Sequence, residues 1–553
     1  MKNLIKKFRW YYLLVFTVLG LLSFRVADNY FELSKNLELY ASVFREINTY
    51  YVDDIDAGKL NKKAIDEMLR TLDPYTNFIS EAEAEDFRFQ MTGQYGGVGS
   101  QIAPKDDYVV ITDPYEGYPA QKADLRAGDL LINVEGKDIK GKTTSDVSKL
   151  LKGQPGSTVK VIIRRNGKEI AKTLVREEIK VKNVPYSGLI NAETGYIKLS
   201  GFTNDAGKEV RDALLELKKK NIKQVILDVR ANPGGLLNEA VNVVNVFTPQ
   251  GIEVVTTKGK VSEWDKSYKT AFGAIDNTIP LIVLTSRGSA SASEIVSGTI
   301  QDIDRGVVVG QRTFGKGLVQ STRPLNYNTQ IKITTAKYYT PSGRCIQALD
   351  YSHRNEDGSV GSIADSLKRE FKTKNGRKVF DGGGVEPDVK VEMKVYSQIA
   401  QSLLSKQIIF DFATQYREQY ESIAAAKDFI LSATDFESFK SFIANKEYEY
   451  STQTEKELEE FKKKAEQEKY FDAIKSTYES LKLQLKHDKQ ADIDKNKEEI
   501  ISLIEEEIVR RYYYQKGRIE AGFAHDSDVQ EALKIFADPV KYTQILQVQN
   551  HKK

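Results

Sequence analysis

The stretch Val225-Ile226-Leu227-Asp228-Val229-Arg230-Ala231-Asn232-Pro233-Gly234-Gly235 decides the fold class. It is an apolar strand that stops at a tight Pro-Gly-Gly turn, after which Leu237, Ala240, Val241 and Val244 recur at helical spacing. The unit repeats. Leu281 to Leu284 leads into Gly288-Ser289-Ala290-Ser291-Ala292-Ser293-Glu294 and a further helix, and Val307 to Val309 leads into Gly310 to Gly317. Strand, glycine turn and helix in succession predict an α/β core of parallel βαβ units, with loops gathered at the carboxyl ends of the strands. Sites on such sheets lie there.

Outward from this core, residues 179–397 keep the alternation of strands and helices. Residues 93–178 read instead as short alternating strands punctuated by glycine, a β-rich insertion. Residues 27–92 read as helical, with Leu37, Tyr40, Phe44 and Ile47 at helical spacing until Leu72-Asp73-Pro74-Tyr75 breaks the pattern. Residues 398–553 read as long helices rich in Lys and Glu. The mixed charge from Glu455 to Gln490 surrounds a sparse apolar stripe (Leu458, Phe461, Ala465, Tyr470) and reads as a solvated face. The two helical regions are candidate surfaces for a homodimer, on helical patterning alone.

At about 150 residues per domain, 553 residues make three to four domains. The chain is 40% hydrophobic and 29% charged, which excludes collagen-like, mucin-like and wholly disordered classes. A net charge of only +3 gives no reason to expect a nucleic-acid partner. One cysteine, Cys345, excludes an intrachain disulfide framework and a cysteine-based zinc site, and nothing indicates a metal or organic cofactor.

Residues 1–26 carry an address. Lys2, Lys6, Lys7 and Arg9 precede an apolar run from Trp10 to Phe24, closed by Arg25. A basic flank before an apolar core is the pattern of a secretory signal or short membrane anchor. The run is shorter than the ~20 residues of a spanning helix, but Trp10, Tyr11, Tyr12 and a snorkelling Arg25 add reach. With no A-x-A cleavage site before Arg25, an uncleaved anchor in the cytoplasmic membrane is the expectation. The positive-inside rule then places the bulk in the periplasm or cell exterior.

The β-rich insertion opens with Tyr95-Gly96-Gly97-Val98-Gly99, whose successive glycines can turn backbone N–H groups toward one point and cradle a carboxylate. Ala120-x-x-Ala123-x-Leu125-x-x-Gly128-Asp129 follows, running into Leu130-Leu131-Ile132-x-Val134-x-Gly136. Thr144-Ser145 then caps a helix bearing Val147, Leu150 and Leu151, and a strand from Val159 to Arg164 reaches the turn Asn166-Gly167. The segment resembles a PDZ domain across its length. The resemblance implies that a free, apolar peptide C-terminus adds as a strand beside the helix. Its carboxylate would sit at Gly96, Gly97, Val98 and Gly99, and its last side chain between Val98, Val147 and Leu151.

Two chemistries compete for the core loops. Gly310-x-x-x-x-Gly315-Lys316 almost completes a phosphate-binding loop, but Gly317 stands where a magnesium-binding hydroxyl belongs and a strand follows where a helix should. The alternative is nucleophilic catalysis by serine. A Ser/Ala run at a helix start is more often a cap, and a serine needs a base. The four histidines are His353, His487, His525 and His551, and His353 falls in a polar stretch, Asp350 to Ser359, that reads as a loop insertion. A Ser-His-Asp arrangement therefore has no candidate histidine in the core. A lysine, with an ordinary pKa of about 10.4, can replace it when burial lowers that value. From its own segment, Lys316 reads equally as such a base or as a surface lysine in a turn.

Taken together, Gly288 to Glu294 and Phe314-Gly315-Lys316-Gly317-x-Val319-Gln320 resemble the carboxyl-terminal processing (tail-specific) serine proteases. So do Leu227-Asp228-x-Arg230-x-Asn232-Pro233-Gly234-Gly235, Tyr338-Tyr339-Thr340-Pro341-Ser342-Gly343-Arg344-x-Ile346-Gln347 and Gly384-Val385-Glu386-Pro387-Asp388. The resemblance covers about residues 30–395 and implies a crotonase/ClpP-like core and a serine endopeptidase that acts on protein tails. It implies Ser291 as nucleophile, Lys316 as general base, Gln320 as the residue orienting the lysine and Asp302 as a support for the site. The oxyanion would be held by the backbone N–H groups of Ala292 and Gly235. In Leu150-Leu151-Lys152-Gly153, Lys152 stands where family members often carry an arginine coupling tail binding to the protease, and lysine lacks that planar fork. The competing reading is a non-catalytic PDZ scaffold with a vestigial protease fold.

Overall fold

The computed structural model describes residues 30–355, 358–448, 450, 453–485 and 489–547. The expected anchor at 1–26 lies outside them, and among the described residues no helix is long and apolar enough to cross a membrane. The chain divides into two units, 1–78 and 79–553. The first holds helices at 30–50 and Ala57–Arg70, the latter capped by Asp56, whose carboxylate accepts the Lys59 N–H at 3.0 Å.

In the second unit Tyr186–Leu189, Thr194–Lys198, Gln224–Asp228, Leu281–Thr285, Val307–Gly310 and Val389–Lys390 lie side by side in that order. The first pair is antiparallel and the rest are parallel. Leu281–Thr285 and Val307–Gly310 are buried along their whole length, so they read as continuous apolar runs rather than alternation. Helices Ala206–Lys219, Leu237–Phe247 and Ala292–Asp302 cover one face of the sheet. The other face is covered from the far end of the chain. Val529, Ala532, Ile535 and Phe536 of helix Ser527–Phe536 pack with Ile226, Ile282, Leu284, Val307 and Val309.

After Val307–Gly310 a loop leads directly into the hairpin Leu318–Pro324 and Gln330–Tyr339. The stretch expected as a loop insertion is itself a hairpin, with Leu349–Arg354 pairing antiparallel to Val360–Ser362. Beside it Arg354 Nη1 donates to Gly358 O at 3.0 Å, a side-chain-to-backbone bond that hydrophobic patterning cannot register.

In the insertion, Ser100–Lys105, Tyr108–Pro114, Leu130–Val134, Thr158–Arg165 and Lys168–Val175 form an antiparallel sheet in that order. Val109, Leu131, Val147 and Val161 share its core with the helix Thr144–Leu151. The cap of that helix is Thr143, one residue earlier than expected. Asp146 stands three residues on, so its N–H reaches Thr143 Oγ1 at 3.2 Å and its carboxylate returns to the Thr143 N–H at 3.2 Å. A two-stranded ribbon, Gln94–Gly97 against Glu177–Lys180, joins this module to the core.

The carboxyl-terminal helices enclose their own core, including Phe412, Phe436, Phe439, Ile504 and Ile508. The helix Lys497–Gly522 bends at Tyr514 (φ 55°, ψ −154°) and touches both neighbours. Arg510 Nη2 lies 3.1 Å from Asp113 of the insertion, Gln121 Nε2 donates to Tyr514 Oη at 2.6 Å, and Tyr186 Oη of the core donates to Glu520 at 3.1 Å. Ile535 is fully buried against the sheet, so Ile535→Ala is expected to cost about 2–5 kcal/mol in a urea unfolding titration, although it lies far in sequence from the core strands.

Candidate active site

Ser289, Ser291 and Ser293 occupy one turn, and their surroundings separate them. The Ser289 hydroxyl is buried, donates to Val229 O at 2.8 Å and accepts the Ser286 N–H at 2.9 Å. The Ser293 hydroxyl is buried and donates to Asn232 O at 2.9 Å. Both hydroxyls tie the turn to the stretch 229–235. Ser291 alone of the three reaches a cavity of about 550 Å³ that Ala292, Ile295, Gly234, Gly235, Lys316, Gln320 and Tyr338 also line.

Ser291 precedes the helix Ala292–Asp302 with φ 55° and ψ −112°, in the left-handed region that costs a non-glycine residue of order 1–3 kcal/mol. Such a conformation persists only when neighbours over-determine it. Tyr338 Oη, fully buried, donates to Ser291 O at 3.1 Å, and Gly234 presses on the turn from the opposite side. A Cβ on Gly234 would stand 2.8 Å from Ser291 Cβ and 2.9 Å from Ala292 N, so only glycine allows this approach.

Glu294, fully buried in the first turn of the helix, binds the two halves of the site together. Its Oε2 accepts the N–H of Ser291 at 2.8 Å and of Lys316 at 2.9 Å. Its Oε1 accepts the Gly315 N–H at 2.7 Å and the Thr313 hydroxyl at 2.5 Å. Thr313 Oγ1 accepts the Val385 N–H at 2.7 Å, which commits its own proton to Glu294. Burial pushes the Glu294 carboxyl above the usual carboxylate range, and these four donors offset part of that push. The sequence reading placed Glu294 in a motif without a task. Its spacing from Ser291 matches a helix cap, but nothing in the sequence pointed to the loop around Lys316.

This clamp consumes the N–H of Ser291. The N–H groups of Ala292 and Gly235 have no acceptor among the described residues. Gly315 takes φ 89°, and a Cβ there would lie 2.4 Å from Ala348 Cβ, so the lysine loop passes hard against the Gln347–Ala348 backbone. Gln347 Oε1 accepts the Gly317 N–H at 2.7 Å. Gln320 Nε2 donates to Thr334 Oγ1 at 3.1 Å across the hairpin.

Asp302 lies at the far end of the helix Ala292–Asp302, away from the cavity. Its Oδ2 accepts the Ser342 N–H at 3.0 Å, and its Oδ1 is 2.8 Å from Arg344 Nη2. Arg344 aims that N–H at Gln301 Oε1 (2.7 Å), so the contact with Asp302 is ionic rather than a hydrogen bond. Asp388 of the Gly384–Asp388 motif accepts the Val308 N–H and Gln301 Nε2, each at 2.8 Å, fastening the helix to the sheet. His353 is exposed on its hairpin beside Asp350, outside the cavity.

In the insertion, Gly96 and Gly97 belong to the joining ribbon, Gly99 takes φ 72°, and Val98, Val147 and Leu151 are buried. Lys152 ends the helix with Nζ 2.7 Å from Asp86 and 5.8 and 5.6 Å from the ring centres of Phe89 and Tyr95. Asp86 and Phe89 lie on the helix Ala84–Thr92, whose Phe87, Phe89, Gln90 and Met91 form a wall of the cavity. Lys152 thus meets that wall rather than the lysine loop. Arg176 was not singled out by the sequence. Its guanidinium donates to Leu150 O at 2.9 Å and Leu151 O at 3.0 Å, closing the carboxyl end of the same helix.

Residues 193–352 match the sequence profile of peptidase family S41, 110–165 that of a PDZ domain, and 399–536 that described as "Probable PDZ-protease, C-terminal helical domain". A carboxy-terminal-processing protease of Bartonella bacilliformis is 36% identical over 57% of this chain and 73% of its own length. A staphylococcal protein named "Probable CtpA-like serine protease" (Staphylococcus aureus) is 36% identical over 56% of this chain, and the match spans 62% of that protein, a little under two thirds. Among solved structures, the photosystem II D1 C-terminal processing protease is similar at 28% identity and TM-score 0.35, covering 64% of this chain and 92% of its own.

The Glu294 geometry predicts an asymmetric penalty. Glu294→Gln keeps the shape but turns an NH₂ toward two of the donors, so it should lower stability by about 3 kcal/mol in urea unfolding. It should also slow the reaction of Ser291 with a sulfonyl fluoride under native conditions, read by mass spectrometry. An unchanged labelling rate would mean that the clamp does not set the position of Ser291.

Proposed function

The chain belongs to peptidase family S41, among the carboxy-terminal-processing serine proteases, and from that premise we propose that it cleaves proteins with a Ser291–Lys316 pair after its PDZ domain has captured the substrate's C-terminal tail. The observation that carries the reading is the sorting of the three hydroxyls. Two are committed to backbone carbonyls, whereas Ser291 shares a cavity with Lys316, and Glu294 accepts from the backbones of both.

Ser291 Oγ attacks the scissile carbonyl while the neutral amine of Lys316 takes its proton. The developing oxyanion receives the Ala292 and Gly235 N–H groups, which have no other acceptor among the described residues. The positive end of the helix Ala292–Asp302 adds to that field. Collapse of the tetrahedral adduct breaks the C–N bond, and Lys316 returns the proton to the leaving amine. Water then hydrolyses the acyl-serine, with Lys316 again as base. Gln320, which lines the same cavity as Lys316, orients the lysine, and Asp302 supports the site from the far end of the nucleophile helix. The core takes its place with the crotonase/ClpP-like folds.

Tail capture is supported by the edge of the PDZ sheet, since among the described residues Ser100–Lys105 has a strand neighbour on one side only. An apolar C-terminal segment adds there with its carboxylate at the 96–99 loop. Lys152, resting on Asp86 and the Phe89 ring, carries the state of the PDZ helix to the cavity wall. The basic flank and apolar run of residues 1–26 hold the enzyme at the cytoplasmic membrane, with its bulk outside the cytoplasm.

The test is cleavage of an unfolded substrate with an apolar tail. Ser291→Ala and Lys316→Ala should each lose on the order of 10³-fold or more in kcat. Amidating the substrate's terminal carboxylate should raise KM with little change in kcat, because it removes only the docking charge. Cleavage that survives in Ser291→Ala would remove Ser291 as nucleophile. Indifference to amidation would remove tail recognition.

A further inference from the structure

The carboxyl-terminal helices have no role in the chemistry just described, yet two of their carboxylates lie directly behind the catalytic loops. The helix Ser527–Phe536 is held flat on the central sheet by Val529, Ala532, Ile535 and Phe536. Its first turn therefore has a fixed position. Asp526 caps it, accepting the N–H groups of Asp528 and Val529 at 3.1 Å each. Both carboxylates then reach Arg230. Arg230 Nη1 donates to Asp526 Oδ1 and Asp528 Oδ2 at 2.8 Å each, and Nη2 donates to Asp526 Oδ2 at 2.7 Å and Asp228 Oδ2 at 2.6 Å.

Arg230 opens the loop that runs to Gly235. The next residue, Ala231, is in the left-handed region at φ 56°. Lys198 Nζ donates to Arg230 O at 2.9 Å, so both the side chain and the backbone of Arg230 are pinned just ahead of the strained residue. Asp528 also reaches the other loop. Its Oδ1 accepts Gln311 Nε2 at 3.2 Å, and Gln311 stands at the mouth of the 310–317 segment that carries Lys316. Gln311 is itself held there by its N–H to Thr285 O at 3.0 Å and by Thr285 Oγ1 donating to Gln311 O at 2.9 Å. One buried carboxylate thus spans the entrances of both loops from below, while Glu294 joins the lysine loop to Ser291 from within.

Net stability is a weak reason for such a cluster. Buried ion pairs roughly break even against apolar packing, and what they can supply is geometry. Two non-glycine residues in left-handed conformations, Ala231 and Ser291, need that geometry to be over-determined.

We infer that Asp528 is a positioning residue for the peptidase reaction, fixing through Arg230 and Gln311 the two loops that present Gly235 and Lys316 to Ser291. The inference rests on the reading of Ser291 and Lys316 as the reacting pair. It makes the carboxyl-terminal domain a part of the catalytic apparatus.

The experiment compares the full chain with Asp528→Asn, Gln311→Ala, their double variant and Ser291→Ala. The readouts are kcat and KM on the tailed substrate, the Kd of a tail peptide, labelling of Ser291 by a small fluorophosphonate, and the thermal midpoint. Asparagine keeps the shape but cannot accept from Arg230 and Gln311 at once. Asp528→Asn should therefore lower kcat and the labelling rate by about tenfold or more, since small misplacements from remote changes are costly in rate. KM and the tail-peptide Kd should stay within about twofold, because neither the groove nor the cavity wall is touched. Gln311→Ala should lower kcat by less, and the double variant should fall no further than Asp528→Asn, as expected for one shared interaction.

A kcat within about threefold of wild type in Asp528→Asn would overturn the inference, as would losses that multiply in the double variant. If Asp528→Asn does not fold, Gln311→Ala decides. A fall in kcat at an unchanged melting temperature supports the inference, and an unchanged kcat overturns it. Cleavage that persists in Ser291→Ala would instead sink the underlying reading. A rate that needs Ser291 and ignores Asp528 sinks only the inference.

Discussion

A single buried carboxylate sets the distance between the serine turn and the lysine loop. Glu294 offers two oxygens to four donors, three backbone N–H groups and the Thr313 hydroxyl. Hydrogen bonds to a charged group contribute about 1.5–3 kcal/mol each, and an unmet donor in so dry a place costs as much again. The loops cannot drift apart without exposing that cost. The clamp also takes the N–H of Ser291, whereas those of Ala292 and Gly235, two residues that line the cavity, have no acceptor among the described residues.

Around this clamp the site is assembled from pieces that are distant in the chain. Tyr338 on the hairpin holds the Ser291 carbonyl, Gln347 holds Gly317, and Val385 fixes the hydroxyl that completes the Glu294 shell. Motifs that look catalytic in a sequence thus divide by task. Gly384–Asp388 fastens the helix and the sheet, and Tyr338–Gln347 builds the floor under the loops. Each supports the geometry at Ser291 through backbone and side-chain hydrogen bonds.

The parts legible in the sequence were those encoded locally. Apolar runs ending in glycine turns gave the parallel strands, whereas the close approach of Gly234 to Ser291 emerged only in the structure. A Ser/Ala run, by contrast, cannot show which hydroxyl is committed, because the acceptors of Ser289 and Ser293 lie 60 and 61 residues back, at Val229 and Asn232. Gln320 Nε2 also donates to Thr334, a cross-strand neighbour fixed only when the hairpin register is known. The second layer of the sheet was illegible for the same reason. Val529, Ala532, Ile535 and Phe536 form an ordinary amphipathic stripe that says nothing of what it covers.

That second layer has a consequence in time. Arg230 meets Asp526 and Asp528 across 296 and 298 residues of chain. At synthesis rates of about 5–20 residues per second, roughly 15–60 s pass between the emergence of the arginine and that of its anchors. During this interval Ile226, Ile282 and Leu284 lack their cover, and the loop leading to Gly235 lacks its carboxylates. The nascent chain therefore carries its serine and lysine before the second face of its central sheet is covered. A sheet whose second cover is the helix Ser527–Phe536 stays open on one face until that helix has been made.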